Sequence, residues 1–172
     1  MSILVAYFSR ADENYFSGSL RTIEKGNTEV VAEKISELNG ADLFKIEMKN
    51  PYSKNYKECI KEAQDDKDKG ILPELVSVPD SIDVYDQIIL AYPNYWGTYP
   101  MAVLTFLKQF DFTGKTIYPL CTNEGSGMGS SVSDLKKELP GADVRNGLSI
   151  RGSDVYGCDE DLHVWLRDNE LL

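Results

Sequence analysis

Cysteine and histidine are scarce in this chain, basic charge is in deficit, and no long apolar run occurs. There are 3 cysteines in 172 residues, Cys59, Cys121 and Cys158. They are odd in number and none shares a CxxC spacing, so reduced, mainly structural thiols are expected rather than a disulfide framework. The single histidine, His163, has no Cys/His cluster around it, which argues against a zinc site and leaves hydrolase chemistry without its usual base. It reads as a helix-surface residue. Lys plus Arg number 18 against 28 Asp plus Glu, a formal charge of −10. Nucleic acid and anionic membranes both need clustered Lys/Arg, so neither is expected as a partner. The opening run Ile3–Phe8 is far shorter than the ~18 residues of a membrane span and lacks the basic flank of a signal peptide. A cytoplasmic protein is expected.

What is present suits one globular domain over residues 1–172. The chain is 42% hydrophobic and 27% charged, ordinary values for a packed core. Short β-rich runs alternate with amphipathic segments. Ile3–Phe8 reads as a strand buried on both faces. A helix follows from about Thr28, with Val31, Ile35 and Leu38 inward and Gly40 as its stop. Asp42–Glu47 alternates like an edge strand. Tyr56, Cys59, Ile60 and Ala63 recur at helical spacing and lead into a charged end at Asp65–Gly70. Gln87–Tyr92 is a third strand, and Val103, Phe106, Leu107 and Phe110 mark a helix. Thr116–Cys121 is the fourth strand. Ser131 to Asp134 reads as a capping box opening a helix with Val132, Leu135 and Leu139 inward. Asp143–Ile150 contains the fifth strand, and Asp159-Glu160-Asp161 opens a last helix with Leu162, Trp165 and Leu166. Such a (βα)₅ alternation predicts a doubly wound α/β fold: a parallel sheet with helices on both faces. Ligands on such sheets bind beyond the carboxyl ends of the strands, at the switch point.

Three loops reach that place. The first runs from Ser9-Arg10 to Gly26-Asn27-Thr28. Glycine permits close backbone approach, while hydroxyls and helix N-terminal amides satisfy phosphate oxygens without a basic cluster. The plainer role for Asn27 or Thr28 is a helix cap. The second, Pro93-Asn94-Tyr95-Trp96-Gly97-Thr98, puts aromatic faces on a loop held by Pro93, Pro100 and Gly97, suited to stacking on a flat heteroaromatic ring. Core plugging or a dimer contact is the alternative. The third, Thr122-Asn123-Glu124-Gly125-Ser126-Gly127-Met128-Gly129-Ser130, fails the GxGxxG dinucleotide pattern at Ser130 and follows the fourth strand rather than the first. It reads as flexible backbone lining a ligand edge or turning tightly.

These residues resemble the flavodoxin family. Ser9 with Gly26-Asn27-Thr28 is similar to its phosphate loop, and Pro93-Asn94-Tyr95-Trp96-Gly97-Thr98 with Met101 resembles its isoalloxazine loop. Thr122 to Gly127 falls where members line the other side of the flavin. The resemblance spans nearly the whole chain. It implies a three-layer α/β/α fold with a five-stranded parallel sheet of order 2-1-3-4-5, and noncovalent FMN. The cofactor-binding residues it implies are Ser9, Arg10, Gly26, Asn27 and Thr28, then Pro93, Asn94, Tyr95, Trp96 and Gly97, then Thr122, Asn123, Glu124, Gly125 and Gly127. Residues 11–25 depart from compact relatives: an ordered flap, a partner-binding element or a benign excursion. The implied activity is electron transfer between redox partners with basic surfaces. The alternatives are an FMN-dependent NAD(P)H oxidoreductase acting on quinones or other small acceptors and, remotely, a phosphoacceptor domain, for which the third strand offers no Asp.

Overall fold

In a computed structural model, which describes residues 2–172, the elements are β1 (Ile3–Tyr7), β2 (Asp12–Phe16), β3 (Ser19–Ile23), α1 (Asn27–Asn39), β4 (Asp42–Lys45), α2 (Tyr56–Lys69) and β5 (Gln87–Pro93). They continue as α3 (Met101–Leu107), β6 (Thr116–Asn123), α4 (Ser131–Glu138), β7 (Asp143–Val144), β8 (Leu148–Arg151), a 3₁₀ turn at Gly152–Asp154 and α5 (Asp159–Asp168). The main sheet runs β4-β1-β5-β6-β7 and every pairing in it is parallel, with β8 also on β6. Counted as the five strands read from the sequence, this is the doubly wound order 2-1-3-4-5.

Both faces of the central strands are buried, as unbroken apolar runs require. Ile88, Leu90 and Tyr92 of β5 join one core with Phe106 of α3 and Leu135 of α4. Ile89 and Ala91 join the other with Val31 and Ile35 of α1 and Leu162 and Leu166 of α5. Helix α1 ends where Gly40 adopts φ 72°, and α2 where Gly70 adopts φ 65°, the left-handed stop that glycine accepts without a Cβ penalty.

Four local expectations differ. Leu38 is exposed, because α1 packs through Val30, Val31 and Ile35 and turns Leu38 outward. Helix α3 stops at Leu107, leaving Phe110 beyond it but still packed against the core. The Ser131–Asp134 pair is not a capping box: Ser131 Oγ donates to the Met128 carbonyl and accepts from the buried Tyr92 hydroxyl, while Asp134 accepts from Ser130 and Thr98. The fifth strand is split at residues 145–147. There Gly147 lies so close to Met128 and the Pro119 carbonyl that no Cβ fits.

Residues 12–23 form an antiparallel hairpin with its own two-stranded sheet. Its two-residue turn places Ser17 at φ 43° and Gly18 at φ 98°, the both-positive pattern of a type I′ hairpin.

Candidate functional site

A cavity of about 480 Å³ opens beyond the carboxyl ends of β1, β5 and β6, within the range of small-molecule sites. Its polar end is built by close approach. The Ser9 hydroxyl accepts from the Glu29 amide at 3.0 Å, satisfying one of the helix donors that have no intrahelical partner. Gly26 has an ordinary φ of −65°; it is required for room, since a Cβ there would collide with Ser9 Oγ and the Arg10 carbonyl. The Thr28 hydroxyl is buried against that of Thr122 at 2.8 Å, tying the first helix to the end of β6. Asn27 stands at the mouth of α1, beside Gly152 and Glu124. Ser9 and Gly26 support the cavity from behind, while Arg10, Asn27 and Thr28 line it.

The aromatic end is a tight turn. Tyr95 and Thr98 exchange backbone hydrogen bonds, and Trp96 and Gly97 between them adopt φ 53° and 84°, again the type I′ pattern. For tryptophan this is a strained conformation, and its surroundings hold it. The Asn94 side chain accepts from the Gly97 amide and donates to the Gly127 carbonyl. Lys67 donates to the Trp96 carbonyl, the Trp96 indole to the Ile60 carbonyl, and the Ser130 amide to the Gly97 carbonyl. Trp96 nonetheless remains 44% exposed. The Tyr95 hydroxyl is buried without a well-formed hydrogen bond, with only weak contact to the Cys59 thiol beside it, and burial raises its pKa well above the ordinary phenol value. In the third loop, Asn123 Oδ1 accepts from the Gly125 and Gly127 amides. Pro93, Asn94, Tyr95, Trp96, Gly97, Thr122, Asn123 and Glu124 line the cavity, whereas Gly125 and Gly127 shape the loop behind it.

Two further walls are residues that the motifs did not single out for the site. On α2, Tyr56, Cys59, Ile60 and Ala63 face the cavity; their helical spacing marked an inward face without showing that it abuts a crevice. Burial pushes the Cys59 thiol up, and Arg10 partly opposes this. The hairpin adds Asn14 and Tyr15, and Tyr15 stacks on Tyr56 at 6.2 Å between ring centroids. Ser126, from the third loop, and Gly152 complete the lining; no sequence pattern marked Gly152. Among the described residues Arg10 is the one cationic lining residue, yet its guanidinium donates to the backbone carbonyls of Glu13, Ser53 and Lys54. It fastens the hairpin base to the segment entering α2, where Glu13 also accepts from the Tyr56 amide. Among the described residues, no group of three or more His, Cys, Asp or Glu is placed to hold a metal, and no helix is long and apolar enough to cross a membrane.

Solved structures share this fold. A candidate flavoprotein from Bacteroides eggerthii is 27% identical, with 96% of each chain covered and a TM-score of 0.75. A flavoprotein from Lactobacillus acidophilus in complex with FMN is 21% identical, covering 90% of this chain and 96% of that one at TM-score 0.66. A flavodoxin from Fusobacterium nucleatum bound to flavin mononucleotide is 14% identical, covering 99% and 98% at TM-score 0.54; these last two are likenesses of fold. Among curated proteins no sequence matches. A family model described as flavodoxin matches residues 2–169, and with that match over nearly its whole length the chain belongs to the flavodoxin family.

Proposed function

We propose that this protein binds FMN noncovalently in the crevice and carries electrons between redox partners. The observation that carries the reading is the two-ended cavity, with helix amides and hydroxyls at one end and aromatic faces at the other, in a member of this family. The residues fit the cofactor. At the polar end the first amides of α1 and the Asn27 side chain can receive a phosphate without a free cation. At the other end Trp96 and Tyr56 offer ring faces, while the Asn94 and Asn123 side chains hold the two loops that shape the ring edge. FMN, when bound, supplies the electron chemistry, while the protein supplies binding, orientation and electrostatics.

The hairpin and α2 wall in one side of the cavity with Tyr15, Tyr56 and Ile60. That supports a carrier over a reductase, which needs an open face for a nicotinamide. The net charge of −10 acts on the same site. One carboxylate about 10 Å away, at an effective dielectric of about 20, opposes added negative charge by about 1.7 kcal/mol, or roughly 70 mV for a one-electron change. A bound-flavin potential below that of free FMN is expected, read by potentiometry, together with docking to basic partner surfaces.

The test is the visible spectrum of the purified protein after desalting, followed by addition of NADH or NADPH alone. Retained flavin bands and no steady-state NAD(P)H oxidation are expected. A colourless protein that takes up no added FMN would sink the cofactor reading, and sustained oxidation without a second protein would replace the carrier with a reductase.

A further inference from the structure

Glu124 lies in the loop expected to line the flavin, but its carboxylate is engaged elsewhere. Oε2 accepts from the amide and the hydroxyl of Ser17, at 3.3 and 3.2 Å. Oε1 accepts from the Ser153 amide at 3.0 Å. Ser17 is the tip of the hairpin, 107 residues away in sequence, and Ser153 belongs to the 3₁₀ turn after β8. The same carboxylate stands beside Asn27, the first residue of α1: a Cβ added at Gly152 would run into both the Asn27 amide nitrogen and Glu124 Oε1. Glu124 thus ties the hairpin tip and the 3₁₀ turn together at the mouth of the helix.

The rest of the hairpin is fastened too. Arg10 and Glu13 hold its base to the entry of α2. Phe16, next to the tip, is buried, with the Arg21 guanidinium 5.4 Å over its ring. The hairpin is therefore a strap anchored at both ends, and beside the buried Phe16 its tip is held by a carboxylate that receives two donors from Ser17 and a third from Ser153, the stronger kind of hydrogen bond.

We propose that Glu124 latches this strap across the phosphate end of the cavity, and that the latched strap makes the site select a flavin ending in one phosphate over a flavin extended by a second nucleotide. The proposal rests on the FMN reading. A dinucleotide has to continue past the phosphate, where the hairpin tip, Glu124 and the 3₁₀ turn meet. Opening the latch frees that route.

The obvious rival is charge alone: the Glu124 carboxylate repelling a second phosphate, with the strap irrelevant. Two substitutions in the full chain separate them. Glu124→Gln removes the charge and sets an amide N–H against a donor on one side or the other, so the latch weakens. Ser17→Asp keeps Glu124, adds a second negative charge at the tip and opens the latch by repulsion; aspartate accepts the positive φ of this position better than most residues. Circular dichroism verifies folding of each variant, and fluorescence titration of the apoprotein gives the affinities for FMN and FAD. A latched strap predicts that both substitutions lower the FMN-over-FAD preference, each by about tenfold, the order expected for losing a charge-assisted contact. Charge alone predicts opposite signs, with Ser17→Asp raising the preference. That result, or an unchanged preference in both variants, overturns the proposal. Failure of the unaltered protein to bind FMN would instead overturn the cofactor reading, and the proposal with it. Amide exchange supplies a readout independent of ligand: residues 16–19 should exchange faster in both variants, and unaltered protection there also overturns the latch.

Discussion

The two ends of the cavity are built on opposite principles. At the polar end each strand-to-helix contact is internally satisfied: Ser9 on the Glu29 amide, Thr28 on Thr122, and Gly26 filling a space no larger residue could occupy. At the aromatic end the exceptions gather, with Trp96 at a positive φ and the Tyr95 hydroxyl buried without a partner. Strain and unmet polar groups persist only where the surroundings enforce them, and they concentrate at functional sites. The polar end thus fixes its side chains in satisfied contacts behind the open amides of α1, whereas the aromatic end keeps a strained residue and an unpartnered hydroxyl in place.

The strongest way to break this contrast is at Gly26. Gly26→Ala forces a Cβ into Ser9 and the Arg10 carbonyl, and overpacking of this kind costs about 2–3 kcal/mol. Urea unfolding should show that loss, with flavin retention falling alongside it. Next is Thr28→Val, which leaves the buried Thr122 hydroxyl without its partner at a cost of about 1–2 kcal/mol, read from the same transition. The aromatic end should respond with the opposite sign. Tyr95→Phe deletes a buried hydroxyl that has no partner, so the apoprotein should gain about 1 kcal/mol. If unfolding instead shows a loss of that size, the hydroxyl is satisfied and the contrast fails.

The smallest difference between the ends should appear on alkaline titration. Tyr7, under α1, and Tyr99, beside the aromatic loop, are both pushed up to about 12, each chiefly by burial and secondarily by nearby carboxylates. A raised pKa in the fold means that the folded state holds its proton more tightly than the unfolded chain. This stabilisation is complete below the unfolded value of about 10 and disappears as pH rises through 12. Unfolding followed by circular dichroism, with phenolate absorbance recorded in parallel, should therefore set in between pH 10 and 12, with both tyrosines ionising in the same step.

Much of this architecture was legible from local chemistry. Ile3–Tyr7 and Ile88–Tyr92 are apolar without a break, and only a strand covered on both sides uses such a run. Gly40 and Gly70 closed helices where a left-handed residue was needed. The three loops at the switch point could be located because strand and helix alternate. Tertiary contacts decided the rest. Tyr56, Cys59, Ile60 and Ala63 share a helical face whether it meets a core or a cavity, and periodicity cannot tell these apart. Arg10 sits beside Ser9 in sequence, yet its guanidinium goes to carbonyls at residues 53 and 54, a pairing that no spacing signals. The Ser131–Asp134 pattern matched a cap, but Tyr92, Ser130 and Thr98 offered those side chains other partners.

The split fifth strand bears on how the molecule behaves in a crowd. Open sheet edges expose unpaired N–H and C=O groups that another chain can extend, and natural proteins blunt them with short, charged or interrupted strands. Here one edge is β4, four residues long with Asp42 and Lys45 at its ends. The other is broken into two residues and four by the segment around Gly147. Neither side offers an uninterrupted template of more than four residues, so the gap that looks like an imperfection in the sheet guards it against growing by one more strand.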